Sequence, residues 1–402
     1  MQLAPGLAGF APERLARITD HLNRNYIDNG KIVGCQTTVA RNGHVAYFSS
    51  LGQMDRERKR PMADDTVFRI YSMSKPITSV ALMQLYEQGY FQLNDAVSRV
   101  IPSWKNHEVY VGGDGERLVT KQPGRPMTFR HILSHSSGLT YGGTDHPVDK
   151  IYRTRKVRGA GETLQSFIDK LADVPLRYTP GDRWCYSYST DVCGYLVEAI
   201  SGMAFDKYLQ ENILNPLGMK DTAFSVPATE QSRLAANYQR GEDKVLKLID
   251  DPATSTYLQQ PTFLSGGGGL VSTTADYLRF CEMLRRGGEL DGARILGPRT
   301  LELMTKNHLT GNRDLTEMAI GAFSETANAG VGFGLGFATT LSDVEAGAMG
   351  QGDYYWGGAA STIFWVDPIE DLVVIFMTQL MPSGAFNFRG QLKSLIYASI
   401  ID

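Results

Sequence analysis

Hydrophobic positions near the start of the chain recur every three to four residues. In "APERLARITDHLNRNYI" (11–27), Leu15, Ile18, Leu22 and Tyr26 share one face, which predicts an amphipathic helix. The period then changes. "GCQTTVARNGHVAYFSSLG" (34–52) is rich in β-formers on both sides of Asn42-Gly43, the strongest short signal for a hairpin turn. A second helix is predicted from Ser72 to Gly89. From about 90 to 310 the pattern is loop-rich and helical, with helical periodicity in "SFIDKLADV", "YLVEAISGMAFDKYLQENIL" and "TTADYLRFCEMLRRGG". In the last of these, Thr273 or Thr274 fits an N-cap and Gly287 a stop. Short β-rich runs return in "VGFGLGFATTL", "AASTIFWVDP" and "DLVVIFMTQL", and "FNFRGQLKSLIYASII" closes the chain as an amphipathic helix. This order predicts an α+β fold. One antiparallel sheet is built from both ends of the chain and flanked by helices, with a mainly helical domain inserted. The expected limits are 1–90 with 311–402 for the discontinuous sheet domain, and 91–310 for the helical one.

Composition narrows the function classes. The chain has 402 residues, 42% hydrophobic and 21% charged, which is ordinary for a globular protein. A net charge of −3 gives no electrostatic footprint for nucleic acid or acidic membranes. The most basic short run, "RERKR" (56–60), is broken by a glutamate and reads as a solvated turn. No apolar run reaches the roughly 18 residues of a membrane span. The N-terminus lacks the basic start and apolar core of a secretory signal. The four cysteines show no C-x-x-C spacing, so reduced thiols in a cytoplasm are expected.

Three stretches carry candidate chemistry. In "RIYSMSKPITSV" (69–80), Ser72 stands three residues before Lys75 at a helix start, one turn apart on one face. A serine hydroxyl needs a base within reach, and burial there favours a neutral amine able to take its proton. The same four letters also fit an ordinary lysine near a helix start. In "PGDRWCYSYSTDVCGYLVEAISG" (180–202), Tyr186 fits a proton shuttle or a plain core aromatic. In "QGDYYWGGAASTIFWVDP" (351–368), Trp356-Gly357-Gly358 leads into a strand. Glycines there permit close approach of a ligand, and the Ala359 N–H could face an oxyanion; on this stretch alone a simple β-bulge is the plainer reading. G-x-S-x-G and H-E-x-x-H are both absent. His131 and His135 are four residues apart without a third ligand, so they read as packing or capping groups.

Taken in order, these stretches resemble the serine β-lactamase and penicillin-binding protein superfamily. The resemblance spans nearly the whole chain through "FRIYSMSKPITS", "FRHILSHSSGL", "PGDRWCYSYS", "SGGGGLVSTTADYLRF" and "WGG". It is closest to the class C branch, and within it to the family VIII carboxylesterases. Two departures set the branch. Tyr186-Ser187-Tyr188 stands where class C β-lactamases have Tyr-x-Asn, and Trp356 stands where they have a lysine. Loss of a charge-assisted contact weakens binding of a β-lactam carboxylate by about one to two decades. The resemblance therefore implies a β-lactamase-like fold with the active site between the two domains, and hydrolysis of short-chain carboxylic esters. Ser72 would be the nucleophile, Lys75 and Tyr186 the general base and acid, and the backbone N–H groups of Ser72 and Ala359 the oxyanion hole. Tyr188, Trp356, Gly357 and Gly358 would contact a small ester. No cofactor, metal, nucleic acid or membrane partner is implied. The same site chemistry also fits β-lactam or amide hydrolysis, acyl transfer, or a silent binding protein. The loop from Thr140 to Arg153, with Gly142-Gly143 as a hinge, is a candidate cover for the cleft.

Overall fold

The computed structural model describes residues 2–159, 161–320 and 329–401. The first amphipathic segment forms α1 (Pro12–Leu22), buries Leu15, Ile18 and Leu22, and continues as one wider turn that buries Tyr26. Then β1 (Gly34–Arg41) and β2 (His44–Asp55) pair through the expected hairpin. Asn42 and Gly43 both take positive φ, 55° and 75°, the backbone that a tight hairpin turn requires. A two-residue strand, β3 (Arg60–Pro61), follows.

Near the other end come β4 (Val331–Phe333), β5 (Ala338–Thr340), β6 (Tyr354–Gly357), β7 (Ile363–Asp367) and β8 (Leu372–Thr378). The eight strands form one sheet in the order β4-β5-β6-β7-β8-β1-β2-β3. Every pairing in it is antiparallel. The central seam joins the two ends of the chain, with β1 on β8 from Cys35↔Thr378 to Arg41↔Leu372. Both seam strands are buried along their whole length, so the sheet is covered on both faces.

The helices explain that burial. The chain between β3 and β4 contributes α2 (Ser74–Glu87), α3 (Phe129–Leu133), α4 (Leu164–Leu171), α5 (Ser189–Ser201) and α6 (Phe205–Leu209), then α7 (Thr274–Arg285). The chain closes with α8 (Phe388–Tyr397). On one face Phe376 of β8 meets Phe388 of α8, ring centroids 4.8 Å apart. On the other, Phe364 of β7 meets Tyr277 of α7 at 5.2 Å. A Lys393–Asp353 ion pair, both groups buried, ties α8 to the turn before β6.

Three expectations are corrected. "VGFGLGFATTL" is not one strand but the hairpin β4–β5, because a side chain at Gly334 would lie 2.1 Å from the Met304 carbonyl and Gly336 sits at φ 97°. The helix expected from Ser72 begins at Ser74, after a tighter turn at Tyr71–Met73. The middle region also holds strands: Val271–Thr273 pairs antiparallel with Val67–Arg69, and Asn237–Arg240 with Leu246–Asp250. These strands are too short to show a period of two.

Candidate active site

The turn that carries Ser72 is fixed from both sides. Upstream, the guanidinium of the fully buried Arg69 donates to Asp250 at 2.6 Å, the Ala235 carbonyl at 2.5 Å and Ser255 at 3.0 Å. Tyr71 then takes φ 42°, a left-handed backbone that costs a non-glycine residue of order 1–3 kcal/mol and persists only when the surroundings over-determine it. Asn237 donates to its hydroxyl at 3.0 Å. The reversal turns the chain into α2 and places Ser72 and Lys75 one turn apart.

Ser72 Oγ accepts from Lys75 Nζ at 3.0 Å and from the Tyr186 hydroxyl at 2.6 Å. Lys75 is 1% exposed and also donates to the Gly267 carbonyl at 2.6 Å. Its Nζ lies 4.5 Å from the Tyr186 ring centroid and 5.7 Å from that of Tyr141. Tyr186 precedes α5, and the Trp356 indole N–H reaches its hydroxyl at 3.3 Å. The three catalytic candidates of the sequence therefore converge on one hydroxyl, and Trp356 stands against them.

The third motif lies beside the nucleophile turn. A side chain at Gly358 would come within 2.4 Å of the Ile70 carbonyl, so only glycine fits between β6 and the chain entering Ser72. Gly357 is the last residue of β6. Ala359 follows, half-buried, and its N–H makes no hydrogen bond among the described residues. Such an amide suits a developing oxyanion. Tyr188 lies one ring further out. Its ring meets Tyr141 at 4.5 Å and Phe167 at 5.4 Å, so it shapes a wall rather than touching Ser72.

Several neighbours were not read from the sequence as part of the site. His135 is buried with its ring 5.1 Å from that of Tyr186, its Nδ1 3.2 Å from Ser187 Oγ and its Nε2 3.4 Å from Thr190 Oγ1. Burial, and next the Lys75 charge, push its pKa well below the usual imidazole range, so it is neutral. His131 is instead the third residue of α3, in a reciprocal capping box with Thr128. The two histidines do not share a helix face, because α3 ends at Leu133 and His135 takes φ 55°. The loop Ser265–Gly269 threads between α2 and α5. Buried Asp191 accepts from Ser265 Oγ at 2.5 Å and from the Gly267 N–H at 3.2 Å, and so holds the carbonyl that Lys75 uses. The run of four glycines was its only sequence signal. Among the described residues no group of His, Cys, Asp and Glu is arranged to hold a metal ion. The Gly142 hinge is pinned: its N–H is bonded to Thr140 Oγ1 and its carbonyl to Arg153.

A buried serine bonded to an amine and a phenol, beside a free strand-edge amide, is the arrangement of an acyl-transfer site. A family profile described as Beta-lactamase matches residues 18–397. The chain belongs to the β-lactamase family. It sits on the esterase-like side of the serine β-lactamase and penicillin-binding protein superfamily, and is an enzyme of the serine-hydrolase type. Protein Rv1367c of Mycobacterium tuberculosis is 33% identical over 364 residues, 89% of this chain and 88% of that protein. Esterase EstB of Burkholderia gladioli is 29% identical over 389 residues, 92% of this chain and 91% of that protein. The solved structure of EstCE1, described as a hydrolase with promiscuous acyltransferase activity, superposes with a TM-score of 0.79. It is 28% identical, covering 96% of this chain and 99% of that one. No helix among the described residues is long and apolar enough to cross a membrane.

Proposed function

We propose that the protein is a carboxylesterase, related to the family VIII enzymes, that cleaves short-chain esters through an acyl-enzyme on Ser72. The observation that carries this reading is the pair of donors on one oxygen, Lys75 at 3.0 Å and Tyr186 at 2.6 Å, beneath an indole instead of a cation. Ser72 Oγ attacks the ester carbonyl while its proton passes to the Lys75–Tyr186 pair. The oxyanion rests on the N–H groups of Ser72 and Ala359. The C–O bond to the alcohol breaks as the pair returns the proton to the leaving oxygen. Water, deprotonated by Tyr186, then attacks the acyl carbonyl; the bond to Ser72 Oγ breaks, the proton returns to Oγ, and the acid is freed. Trp356 supplies an apolar wall near the scissile bond, which favours a neutral group there. The partner is a small ester. A cytoplasmic site of action fits four buried free cysteines.

The tyrosine wall at Tyr141 and Tyr188 favours a second reading, in which an alcohol replaces water as acceptor. EstCE1, described with both activities, is a precedent.

Hydrolysis of p-nitrophenyl acetate, butyrate and octanoate beside nitrocefin tests the proposal, with Ser72→Ala in parallel. Ester turnover should exceed nitrocefin turnover and vanish in the variant with folding intact. Substantial esterase activity in Ser72→Ala removes the nucleophile assignment, and nitrocefin faster than every ester removes the substrate class.

A further inference from the structure

Tyr141 and Tyr188, the rings next to Tyr186, also line a cavity of about 310 Å³. Three tyrosines, Tyr141, Tyr152 and Tyr188, and three cations, Arg153, Lys156 and Arg158, line it, and among the described residues no carboxylate does. The aromatic walls run back to the chemistry, since Tyr141 meets Tyr188 at 4.5 Å and Tyr186 at 5.2 Å. The cations differ in how they are engaged. Arg153 donates to the Gly142 and Thr144 carbonyls, both at 2.6 Å. Nearby Arg155 pairs with Asp173, and Lys150 with Asp114. Lys156 and Arg158 form no ion pair among the described residues.

Three acidic groups of the surrounding segments, Asp149, Asp191 and Glu162, are committed elsewhere. Asp149 is buried and accepts from Thr140 and Thr144. Asp191 holds the Gly267 loop, and Glu162 pairs with Lys170. Arg158 itself is exposed to the cavity mouth but not loose. Its guanidinium lies over the Phe263 ring, 5.1 Å from the centroid, and beside the Tyr188 phenol. A stacked guanidinium keeps its donor edge available for a planar, two-oxygen anion.

We propose that Arg158, backed by Lys156, binds a carboxylate at the far end of the ester substrate, so that the enzyme selects monoesters of dicarboxylic acids over neutral esters of equal length. The inference rests on the esterase reading and names its substrate class. It places charge recognition two aromatic rings away from the scissile bond. The indole of Trp356 still requires a neutral group close to Ser72. The tyrosines bury the methylene spacer between the two ends.

Calorimetric titration of the native chain with 5-phenylvalerate and with its neutral amide tests the anion site without any turnover. The acid should bind about tenfold tighter than the amide, the size of one charge-assisted contact in a part-solvated place. Arg158→Met should erase that advantage, and Arg158→Lys should keep part of it. Equal affinity for acid and amide, binding of neither, or an advantage that survives Arg158→Met overturns the proposal. The kinetic arm compares p-nitrophenyl hemiadipate with p-nitrophenyl hexanoate. The ratio of their kcat/KM values should fall about tenfold in Arg158→Met, through KM. A ratio that stays at the native value makes Arg158 a packing residue and also overturns it. Neutral-ester turnover that survives Ser72→Ala would defeat the catalytic reading alone, since the titration is independent of it.

Discussion

Tyr186 is the residue on which the proposed chemistry turns. Its hydroxyl is 2.6 Å from Ser72 Oγ, and its ring is held by Trp184 at 6.1 Å and Trp356 at 5.4 Å. Phenylalanine keeps those ring contacts and removes only the oxygen. Tyr186→Phe should therefore lower kcat by roughly two to four decades, the usual weight of a positioned acid–base group, while the melting temperature stays near native. Steady-state kinetics beside a thermal melt checks both halves. A variant with kcat within tenfold of native would show that Lys75 alone handles the proton. The spacing of Ser72 and Lys75 was legible because it is local: three residues across one turn decide whether the side chains meet. The aromatic loop between a Pro-Gly turn and a helix fitted a core tyrosine as well as a proton shuttle, and only the family resemblance pointed to Tyr186 as a partner of Ser72. His135 and Tyr141 were not legible. They reach Tyr186 by ring packing across loops distant in sequence, and no period or spacing records such a contact.

At the scale of elements, the Ser265–Gly269 loop does for Lys75 what the Tyr71 turn does for Ser72. A side chain at Gly266 would lie 2.7 Å from the Thr190 carbonyl, and one at Gly267 would lie 2.6 Å from Asp191 Oδ2. The glycines are there because the loop passes between two helices with no room for Cβ. Gly267→Ala should push the loop off Asp191 and move the carbonyl that Lys75 uses at 2.6 Å. The expected result is a loss of at least tenfold in kcat, larger than the accompanying drop in stability can explain through unfolded protein. Activity per folded molecule, from the two measurements together, is the readout; an unchanged value would mean the loop only packs. Long periodic elements were legible. α1, the β1–β2 hairpin, α7 and α8 follow the expected segments, down to Thr273 as N-cap with its side chain on the Asp276 N–H at 3.1 Å. The glycine loop and the β4–β5 hairpin were not, because what fixes them is contact with the Asp191 carboxylate and the Met304 carbonyl, which local propensity does not encode.

For the whole molecule, burial sets the response to acid. His107, His131, His135, His146 and His308 all have pKa values below the usual imidazole range, in each case first through desolvation. A lowered pKa means the folded chain resists a proton that the unfolded chain accepts. Stability is therefore full above the ordinary imidazole value of about 6.5 and falls as pH drops below it. The loss continues until the folded groups also protonate. For His131 that is about 4, with Arg125 and Arg130 adding to the burial. Each excess proton changes stability by roughly 1.4 kcal/mol per pH unit, so this one histidine accounts for about 2 kcal/mol between pH 8 and pH 5. His131→Asn isolates the contribution. The amide oxygen can still accept from the Thr128 N–H, which His131 Nδ1 does at 3.2 Å, but it cannot titrate. At pH 8 the variant should be less stable than the native chain, through lost ring packing near Gly181. At pH 5 that deficit should be about 2 kcal/mol smaller or reversed. Urea unfolding of both proteins at the two pH values measures it. A deficit that stays constant would mean the buried ring protonates in the folded state as readily as in the unfolded one, and that the acid response arises from the carboxylates instead.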